Sequence, residues 1–257
     1  MKQSIVRMKR VQPTASRDDK ANFPFVTVIT PTYNRRRFIP SLIECFKRQT
    51  YPARRMEWII YDDGSDPVKD LFEPHMGVIP NLIYIYEKDK QNIGGKRNRL
   101  NREACGDIIV AMDDDDYYPE DRVYAVVKAF KQNPGFQLAG SSEVFMYYTD
   151  IQVIYKLGPY NKNHATNGTM AWRKEYSDTH VYDETVTHAE EKSFLDDYKH
   201  PMIQIDPRKV MLVISHSENT FDKKKMREQD NPMVKRTDWK IKNFIRDSKI
   251  REFYASA

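Results

Sequence analysis

The sequence has few cysteines, no long apolar run and no internal repeat. Cys45 and Cys105 are the only two cysteines among 257 residues, which excludes a disulfide framework, and they lack the spacing of metal ligands. We expect both thiols to be reduced and largely buried. No apolar run approaches the roughly 20 residues that span a bilayer, and the first residues, MKQSIVRMKR, lack the apolar stretch of a secretory signal. A cytosolic, soluble globule is therefore expected.

Charge is abundant, and its distribution along the chain is uneven. The net charge is +5, which first suggests nucleic acid, a membrane surface or an anionic small molecule as partner. Basic residues concentrate in a predicted flexible arm, residues 1–23, and in a predicted basic, partly helical tail, residues 222–257. Peripheral contact of this tail with an anionic membrane is one interpretation, and a solvated surface is the other. Against this background stands an acidic run, Asp113 to Asp116, whose adjacent carboxylates repel one another unless a cation joins them.

Short apolar runs alternate with helical patterns in the first half of the chain. The runs FVTVIT, EWIIYD, NLIYIYE and DIIVAMD have the composition of buried strands. This alternation predicts an α/β fold with a mostly parallel central sheet flanked by helices, and with ligands at the carboxyl ends of the strands. Beyond residue 133 the pattern becomes α+β, with FQLAGSSEVFMYYTD and IQVIYKL as strands. We expect a single domain over residues 24–221, with halves at 24–133 and 134–221.

The acidic run directly follows a predicted strand. Alternate residues of an extended chain project to the same side, so Asp113 and Asp115 can converge. Their carboxylate oxygens suit Mg²⁺ or Mn²⁺, which can keep other positions for diphosphate oxygens and water. His216, after the predicted strand VMLVI, could add an imidazole nitrogen. The alternatives are a solvated turn or helix cap for the run, and a structural role for the histidine.

Polar residues also follow the other strands at this edge. A carboxylate of the pair Asp62-Asp63 could accept hydrogen bonds from a base or ribose, although an Asp-Gly turn is the plainer interpretation. Tyr33, in the segment PTYN after the first strand, could stack on a nucleobase. Lys96 and Arg97 lie at the start of a helix, NIGGKRN, where backbone N–H groups favour anions. A solvated helix face is the alternative for these two cations.

The second half contains one further acidic pair. Glu190 and Glu191 precede an apolar helical turn in the segment THAEEKSFL. One of them could act as a general base if it reaches the hydroxyl of an acceptor. The alternative is an acidic helix N-terminus that the helix dipole stabilises.

Taken together, VTVITPTYNR, WIIYDDGSD, NIGGKRN and GDIIVAMDDDDYYPEDR resemble the motifs of GT-A fold glycosyltransferases, in particular the inverting family 2 type. The resemblance covers about residues 25 to 220, with the motifs in the expected order. It implies a nucleotide-binding first half and an acceptor-binding second half. It also implies that Pro31, Thr32 and Tyr33 line the nucleoside site, that Asp63 contacts uracil, and that Asp114 lies near the ribose.

The resemblance further implies a metal and a reaction. Asp115, with Asp113, holds Mn²⁺ or Mg²⁺ against the diphosphate of a UDP-sugar. Lys96 or Arg97 lies near the nucleotide and neutralises charge on the leaving phosphate. The sugar passes to a hydroxyl of a glycan, glycolipid or glycoprotein by a single displacement, which inverts the anomeric carbon.

The base and the acceptor site follow from the same resemblance. The family usually has a Glu-Asp pair, whereas this chain has Glu190-Glu191; Glu191 matches the second position and is the predicted base. The segment NGTMAWR is expected to border the acceptor, with Trp172 either a platform for a sugar ring or a core residue.

Two other functions remain open at this point. A nucleotidyltransferase that makes a nucleotide sugar normally needs a glycine-rich, basic loop after the first strand, and PTYNRRRF contains no glycine. A catalytically silent module that binds nucleotides or nucleic acid is favoured by the basic termini. The acidic run and the paired glutamates argue against that module, so nucleic acid is not an expected partner.

Overall fold

Two β-sheets organise the chain in a computed structural model that describes residues 4–7, 23–187, 189–219, 223–228 and 231–257. The strands are β1 (Ser4–Arg7), β2 (Val26–Thr32), β3 (Met56–Asp62), β4 (Leu82–Tyr86), β5 (Ile108–Ala111), β6 (Leu138–Gly140), β7 (Val144–Tyr148), β8 (Val153–Leu157), β9 (Ala171–Arg173), β10 (Met202–Gln204), β11 (Leu212–Ser215) and β12 (Val234–Arg236). The α-helices are α1 (Ile39–Lys47), α2 (Lys69–Phe72), α3 (Ile93–Glu103), α4 (Arg122–Gln132), α5 (Lys174–Ser177), α6 (Glu191–Phe194), α7 (Lys224–Glu228) and α8 (Ser248–Ala255).

The larger sheet has eight strands in the order β1-β4-β3-β2-β5-β9-β6-β10. Strands β2 to β5 run parallel to one another, and β9 lies antiparallel between β5 and β6. Every residue of β2 and β3 is buried, because helices cover both faces of the sheet. Val28 of β2 packs in one core with α1 and α4, whereas its neighbour Ile29 packs in a second core with α3. The predicted α/β class with a mostly parallel sheet is confirmed.

The smaller sheet has four strands in the order β11-β7-β8-β12. The sequence predicts one strand through FQLAGSSEVFMYYTD, but this run divides into β6 in the larger sheet and β7 in the smaller one. Between β6 and β7, side chains accept the hydrogen bonds of the backbone N–H groups. The Ser141 N–H donates to Thr169 Oγ1 at 3.1 Å, and the Ser142 N–H donates to Gln204 Oε1 at 2.7 Å. The chain can therefore leave one sheet and enter the next without unpaired donors.

Both chain ends differ from the predicted loose segments. Within the predicted arm, β1 pairs antiparallel with β4, while residues 8–22 lie outside the described residues. In the predicted tail, β12 pairs with β8, and Ile245, Ile250 and Tyr254 are buried in the main core. Their apolar side chains pack together while cations such as Lys235 and Lys240 stay exposed. The described part of the tail therefore belongs to the folded domain, beyond the boundary predicted at residue 221.

The cysteines also differ from expectation in one respect. Cys45 is buried, and burial raises the pKa of its thiol to about 11. Cys105 is exposed, because it lies in the loop between α3 and β5. Neither forms a disulfide in the described structure. Among the described residues, no helix combines the length and apolar character needed to cross a membrane.

Candidate active site

The predicted motifs meet at one edge of the larger sheet. Thr32, the last residue of β2, stands opposite Asp62, the last residue of β3. On the other side of β2, the backbone N–H of Met112 donates to the carbonyl of Ile29 at 3.0 Å, and the acidic run follows directly. Because these strands are parallel, their carboxyl ends bring three separate motifs together.

Asp62 stabilises the loop that follows β3 at this edge of the sheet. Its fully buried carboxylate accepts hydrogen bonds from the backbone N–H groups of Gly64 and Val68, at 2.8 and 2.9 Å, and from the Tyr84 hydroxyl. A Cβ on Gly64 would lie 2.8 Å from Asn34 Oδ1, so a larger residue does not fit there. Asp62 therefore closes the turn that presents Asp63, and it has a structural role.

Asp62→Ala should destabilise the protein by about 3 kcal/mol, because it leaves two backbone donors and a buried hydroxyl without their acceptor. Urea denaturation of the wild type and the variant measures this difference. Asp62→Asn, which keeps one acceptor oxygen, should lose less. A loss below about 0.5 kcal/mol for Asp62→Ala, the range of ordinary surface changes, would contradict the structural role.

Asp63 and Lys96 form a buried ion pair next to Tyr33. The Asp63 carboxylate also accepts the backbone N–H of Gln91 at 2.7 Å, and Lys96 Nζ donates to the Thr32 carbonyl at 3.2 Å. Burial lowers the pKa of Lys96, and its contact with Asp63 opposes this shift. Lys96 Nζ lies 5.3 Å from the centroid of the Tyr33 ring. The structure thus brings these predicted donor residues together, with the Asp63 side chain buried beneath the surface.

The remaining residues of the predicted nucleoside site differ in exposure. Pro31 and Thr32 are buried within β2, where Pro31 stands opposite Tyr61. Tyr33 is half-buried and has Lys90 Nζ 4.2 Å from its ring centroid. Of the three residues, Tyr33 is therefore the one that offers a surface to a ligand.

Arg97 points away from its neighbour Lys96 and joins two carboxylates. Its Nε donates to Glu190 Oε1 at 2.9 Å, and its Nη1 donates to Asp113 Oδ1 at 3.0 Å. Burial acts to lower the pKa of Arg97, but the charges of Asp113 and Glu190 outweigh burial and raise it. The sequence predicts Arg97 near a diphosphate; the structure shows it linking the acidic run to the acidic pair. A guanidinium suits this task because its separate N–H groups can donate to two carboxylates at once.

The acidic run divides into two pairs with different surroundings. Asp113 and Asp115 are partly exposed and line a cavity, whereas Asp114 and Asp116 are buried, although Asp116 also borders that cavity. Burial raises the pKa of Asp116 to about 7, and burial together with the charge of Asp115 raises the pKa of Asp114. Asp116 Oδ1 accepts the backbone N–H of Ile214 at 2.8 Å. This bond fixes the run to β11, the strand that leads to His216.

His216 lies against Asp115. Its Nε2 is 3.1 Å from Asp115 Oδ2 and 2.8 Å from Asn219 Nδ2. Burial acts to raise the pKa of Asp115, but the hydrogen bond with His216 and nearby cations outweigh it and hold the pKa below its usual range. A metal ion bound at Nε2 has to displace these two contacts. His216 therefore orients Asp115 as the structure stands, and its role as a metal ligand stays a prediction.

Arg35 is a functional candidate that sequence reasoning missed. Its Nε lies 3.7 Å from Asp115 Oδ2, and its Nη1 lies 3.9 Å from Glu218. The side chain of Arg35 is 15% exposed, so the guanidinium can still reach an anion at this edge. Its position directly after the PTYN segment was the available signal, but a run of three arginines is also typical of a solvated surface.

The C-terminal helix supports the acidic run from behind. The buried hydroxyl of Tyr254 donates to the Asp116 carbonyl at 2.9 Å. Phe253 contacts Phe38 at 5.7 Å between ring centroids, and Phe38 in turn lies 4.5 Å from the ring of His216. Residues near the end of the chain thus hold the acidic run and the histidine in place.

The cavity beside the acidic run has a volume of about 350 Å³ and also contains the acidic pair of the second half. Glu191 is the first residue of α6. Glu190 directly precedes this helix, and its carboxylate forms an ion pair with Arg97. Burial, with the charge of Glu190, raises the pKa of Glu191 to about 7. The cavity lining brings together Arg97, Asp113, Asp115, Glu190 and Glu191.

Trp172 does not lie at this cavity. It is fully buried in β9, between Ile109 of β5 and Leu138 of β6, and packs against Phe194 with ring centroids 5.1 Å apart. The prediction of a sugar platform at Trp172 does not agree with this position. Strand β9 enters the larger sheet, so its side chains fill the core and leave no ring face for an acceptor.

No complete metal shell exists among the described residues, since no three His, Cys, Asp or Glu side chains form a group that could hold an ion. Three carboxylates of the run line the cavity; Asp113 and Asp115 are the more open ones, whereas Asp116 is buried and accepts the Ile214 N–H. Such a set fits a hard divalent cation that takes its other ligands from a bound diphosphate and water. Burial, with the neighbouring charge of Asp115 as a smaller cause, raises the pKa values of Asp114 and Asp116, and a cation nearby would favour their charged forms.

Comparison with known proteins identifies similar glycosyltransferases. AglE, a glycosyltransferase of Haloferax volcanii, is 30% identical over 96 residues, which are 37% of this chain and 32% of that protein. TarS of Staphylococcus aureus, a poly(ribitol-phosphate) beta-N-acetylglucosaminyltransferase, is 28% identical over 92 residues, which are 35% of this chain and 16% of that protein. The matches therefore span about a third or less of these relatives.

Two solved structures share the fold. TarS in complex with UDP-GlcNAc superimposes with a TM-score of 0.63 at 16% identity, over 76% of this chain and 59% of that one. The mannosyltransferase PcManGT of Pyrobaculum calidifontis, in complex with GDP-Man and Mn2+, gives 0.61 at 18% identity, over 76% and 58%. The predicted GT-A fold is confirmed. The model of the family described as glycosyl transferase family 2 matches residues 27–185, more than half of the chain. The chain belongs to glycosyl transferase family 2.

Proposed function

We propose that the protein is a metal-dependent glycosyltransferase that moves a sugar from a UDP-sugar to a hydroxyl of a glycan, glycolipid or glycoprotein, with inversion at the anomeric carbon. The observation that carries this proposal is the cavity itself. It brings two carboxylates suited to a cation, Asp113 and Asp115, together with a carboxylate suited to proton transfer, Glu191.

Each predicted residue has a task in this proposal. Tyr33 packs on the base of the nucleotide. The pocket around the base is shaped by Pro31, Thr32 and the ion pair of Asp63 with Lys96. Asp114 lies near the ribose. Lys96 supplies positive charge on the nucleotide side. Burial disfavours this charge, and the contact with Asp63 favours it.

The donor diphosphate needs a cation at the acidic run. Asp113 and Asp115 would hold Mn²⁺ or Mg²⁺, with His216 either as a further ligand or as the residue that orients Asp115. When bound, the metal neutralises the charge that develops on the leaving UDP. Arg97 keeps Asp113 and Glu190 in fixed positions through its two hydrogen bonds.

Glu191 then takes the proton from the attacking hydroxyl. A base is most effective when its pKa lies near the working pH, and burial raises the pKa of Glu191 to about 7. Glu190 is less suited to this task because Arg97 already occupies its carboxylate. A single displacement with Glu191 as base inverts the anomeric carbon. Membrane contact through the exposed C-terminal cations stays a prediction.

Thermal unfolding with a panel of nucleotide sugars tests the proposal without knowledge of the acceptor. A UDP-sugar at a hundredfold excess over its Kd, with Mn²⁺, should raise the unfolding midpoint by about 5 °C or more. EDTA should remove this protection, and GDP-mannose serves as the comparison donor. Protection by UTP with a sugar 1-phosphate, and none by UDP-sugars, would favour a nucleotidyltransferase. A flat result across the panel would contradict donor binding.

A further inference from the structure

We propose that Tyr160, backed by His164 and Tyr198, is the platform on which a sugar ring of the acceptor stacks. This inference rests on the proposed function, since it names the acceptor chemistry of the same cavity. It means that the reacting end of the acceptor is a cyclic sugar and is not an acyclic polyol phosphate.

The three rings form a tilted stack at the cavity, with angles of 51° between the Tyr160 and His164 planes and 30° between the His164 and Tyr198 planes. Tyr160 lines the cavity and is 38% exposed. The centroid of its ring lies 5.0 Å from that of His164, and His164 lies 5.0 Å from Tyr198 on its other side. The outer ring is therefore open to a ligand, and two further rings support it from behind.

Hydrogen bonds hold the stack rigidly. The Tyr160 N–H donates to the Ser142 carbonyl at 3.2 Å, and Asn163 Nδ2 donates to the Tyr198 carbonyl at 3.0 Å. Tyr198 has a φ of 60°, in the left-handed region that a bulky residue rarely adopts. Such a conformation persists only where the surroundings impose it, and it is often found at binding sites.

The stack also lies beside the predicted base. Glu191 lines the same cavity as Tyr160, and its charge, after burial, helps to raise the pKa of Tyr198. Burial lowers the pKa of His164, so the middle ring of the stack is neutral at physiological pH. A ring that rests on Tyr160 therefore lies in the same cavity as the carboxylate that takes the proton.

The chemistry of this wall favours a cyclic sugar. A pyranose has a rigid face of C–H groups and an edge of hydroxyls, and an exposed phenol offers an apolar face with a polar tip. The neighbouring lining is apolar, with Val144, Met146, Leu157 and Met211. A flexible polyol has no such face and loses more conformational entropy on binding. TarS, whose name gives poly(ribitol-phosphate) as its acceptor, provides the contrasting ligand.

Saturation-transfer NMR tests the platform directly. The probes are the methyl glycosides of glucose, galactose, mannose and N-acetylglucosamine, and ribitol 5-phosphate, each added to the full chain with UDP and Mg²⁺, which is diamagnetic and leaves the ligand signals sharp. We expect at least one glycoside to bind through the protons of one ring face, and ribitol 5-phosphate to give no signal. Tyr160→Ala should weaken glycoside binding about tenfold or more, whereas Tyr160→Phe, which keeps the ring, should bind within about twofold of the wild type.

Tyr124→Ala is the matched control, because Tyr124 is 48% exposed on α4 and does not line the cavity. Unchanged glycoside binding in Tyr160→Ala, stronger binding of ribitol 5-phosphate, or no binding of any glycoside would overturn the inference. Protection by UDP with Mg²⁺, measured by thermal unfolding on the same samples, separates a failure of the proposed function from a failure of the platform. Lost protection in the wild type counts against the proposed function, and retained protection without glycoside binding counts against the platform alone.

Discussion

Glu191→Gln should lower the rate of UDP-sugar hydrolysis about a thousandfold while UDP still protects the protein against thermal unfolding. Positioned general bases contribute roughly 10²- to 10⁴-fold to rate, and an amide cannot accept the proton. Hydrolysis replaces transfer in this assay because water can serve as acceptor in the same cavity. Protection by UDP should persist, since Glu191 has no predicted contact with the nucleotide.

The pH profile gives the same assignment a second readout. Burial raises the pKa of Glu191 to about 7, so the carboxylate is protonated, and inactive as a base, at lower pH. In the wild type, kcat/KM for hydrolysis should therefore fall about tenfold for each pH unit below 7, because kcat/KM reports the free enzyme. The remaining activity of Glu191→Gln should lack this acidic limb.

Two variants control for charge and position. Glu175→Gln removes one negative charge from an exposed site on α5 and should leave hydrolysis unchanged. Glu190→Gln keeps an oxygen that can accept the Arg97 hydrogen bond and should cost about tenfold, as expected for a residue that positions another. If Glu190→Gln removes hydrolysis and Glu191→Gln does not, the base has been assigned to the wrong member of the pair.

Asp115→Ala should abolish Mn²⁺-dependent hydrolysis, with a loss of at least about a hundredfold, and with it the protection that UDP gives in the presence of Mn²⁺. Asp115 lies at the cavity, and His216 and Asn219 hold its carboxylate. Without it, only one of the two proposed carboxylate ligands remains, and that residue, Asp113, already accepts a hydrogen bond from Arg97. A Mn²⁺ titration of hydrolysis and of the unfolding midpoint measures both effects.

Asp121→Ala is the control for Asp115→Ala. Asp121 is close in sequence, but it pairs with Lys209 at the surface, so its removal should change the Mn²⁺ response by less than twofold. Hydrolysis at the wild-type rate in Asp115→Ala would rule out the metal assignment. His216→Ala distinguishes the two roles of the histidine, since an orienting residue should raise the Mn²⁺ requirement roughly tenfold and a direct ligand by more.

Most of the larger sheet could be predicted from the sequence because its signals are local. The run of β2, VTVITPT, is β-branched at every position except Pro31 and carries no charge, which is typical of a strand covered on both faces. Polar residues placed directly after these runs then fall at one edge, so Asp63, Lys96 and Asp113 could be assigned to a common site before any contact was known.

The parts that could not be predicted depend on long-range contacts. Trp172 has an apolar, aromatic context that suits a core and a sugar platform equally, and the insertion of β9 between β5 and β6 decides for the core. Similarly, the basic C-terminal segment has the composition of a solvated tail, yet Tyr254 reaches the acidic run. Neither packing partner lies close enough in sequence to leave a local pattern.

The +5 net charge and the acidic run also combine a property that the sequence determines with one that only the tertiary structure determines. The sequence by itself determined that carboxylates follow a buried strand, because strand position and residue type are both local properties. Only the tertiary structure decided how their charges are balanced: Arg97 reaches Asp113 and Glu190, and His216 reaches Asp115. These pairs join segments that are distant in sequence, and an ion pair depends on distance in space, which the fold alone sets.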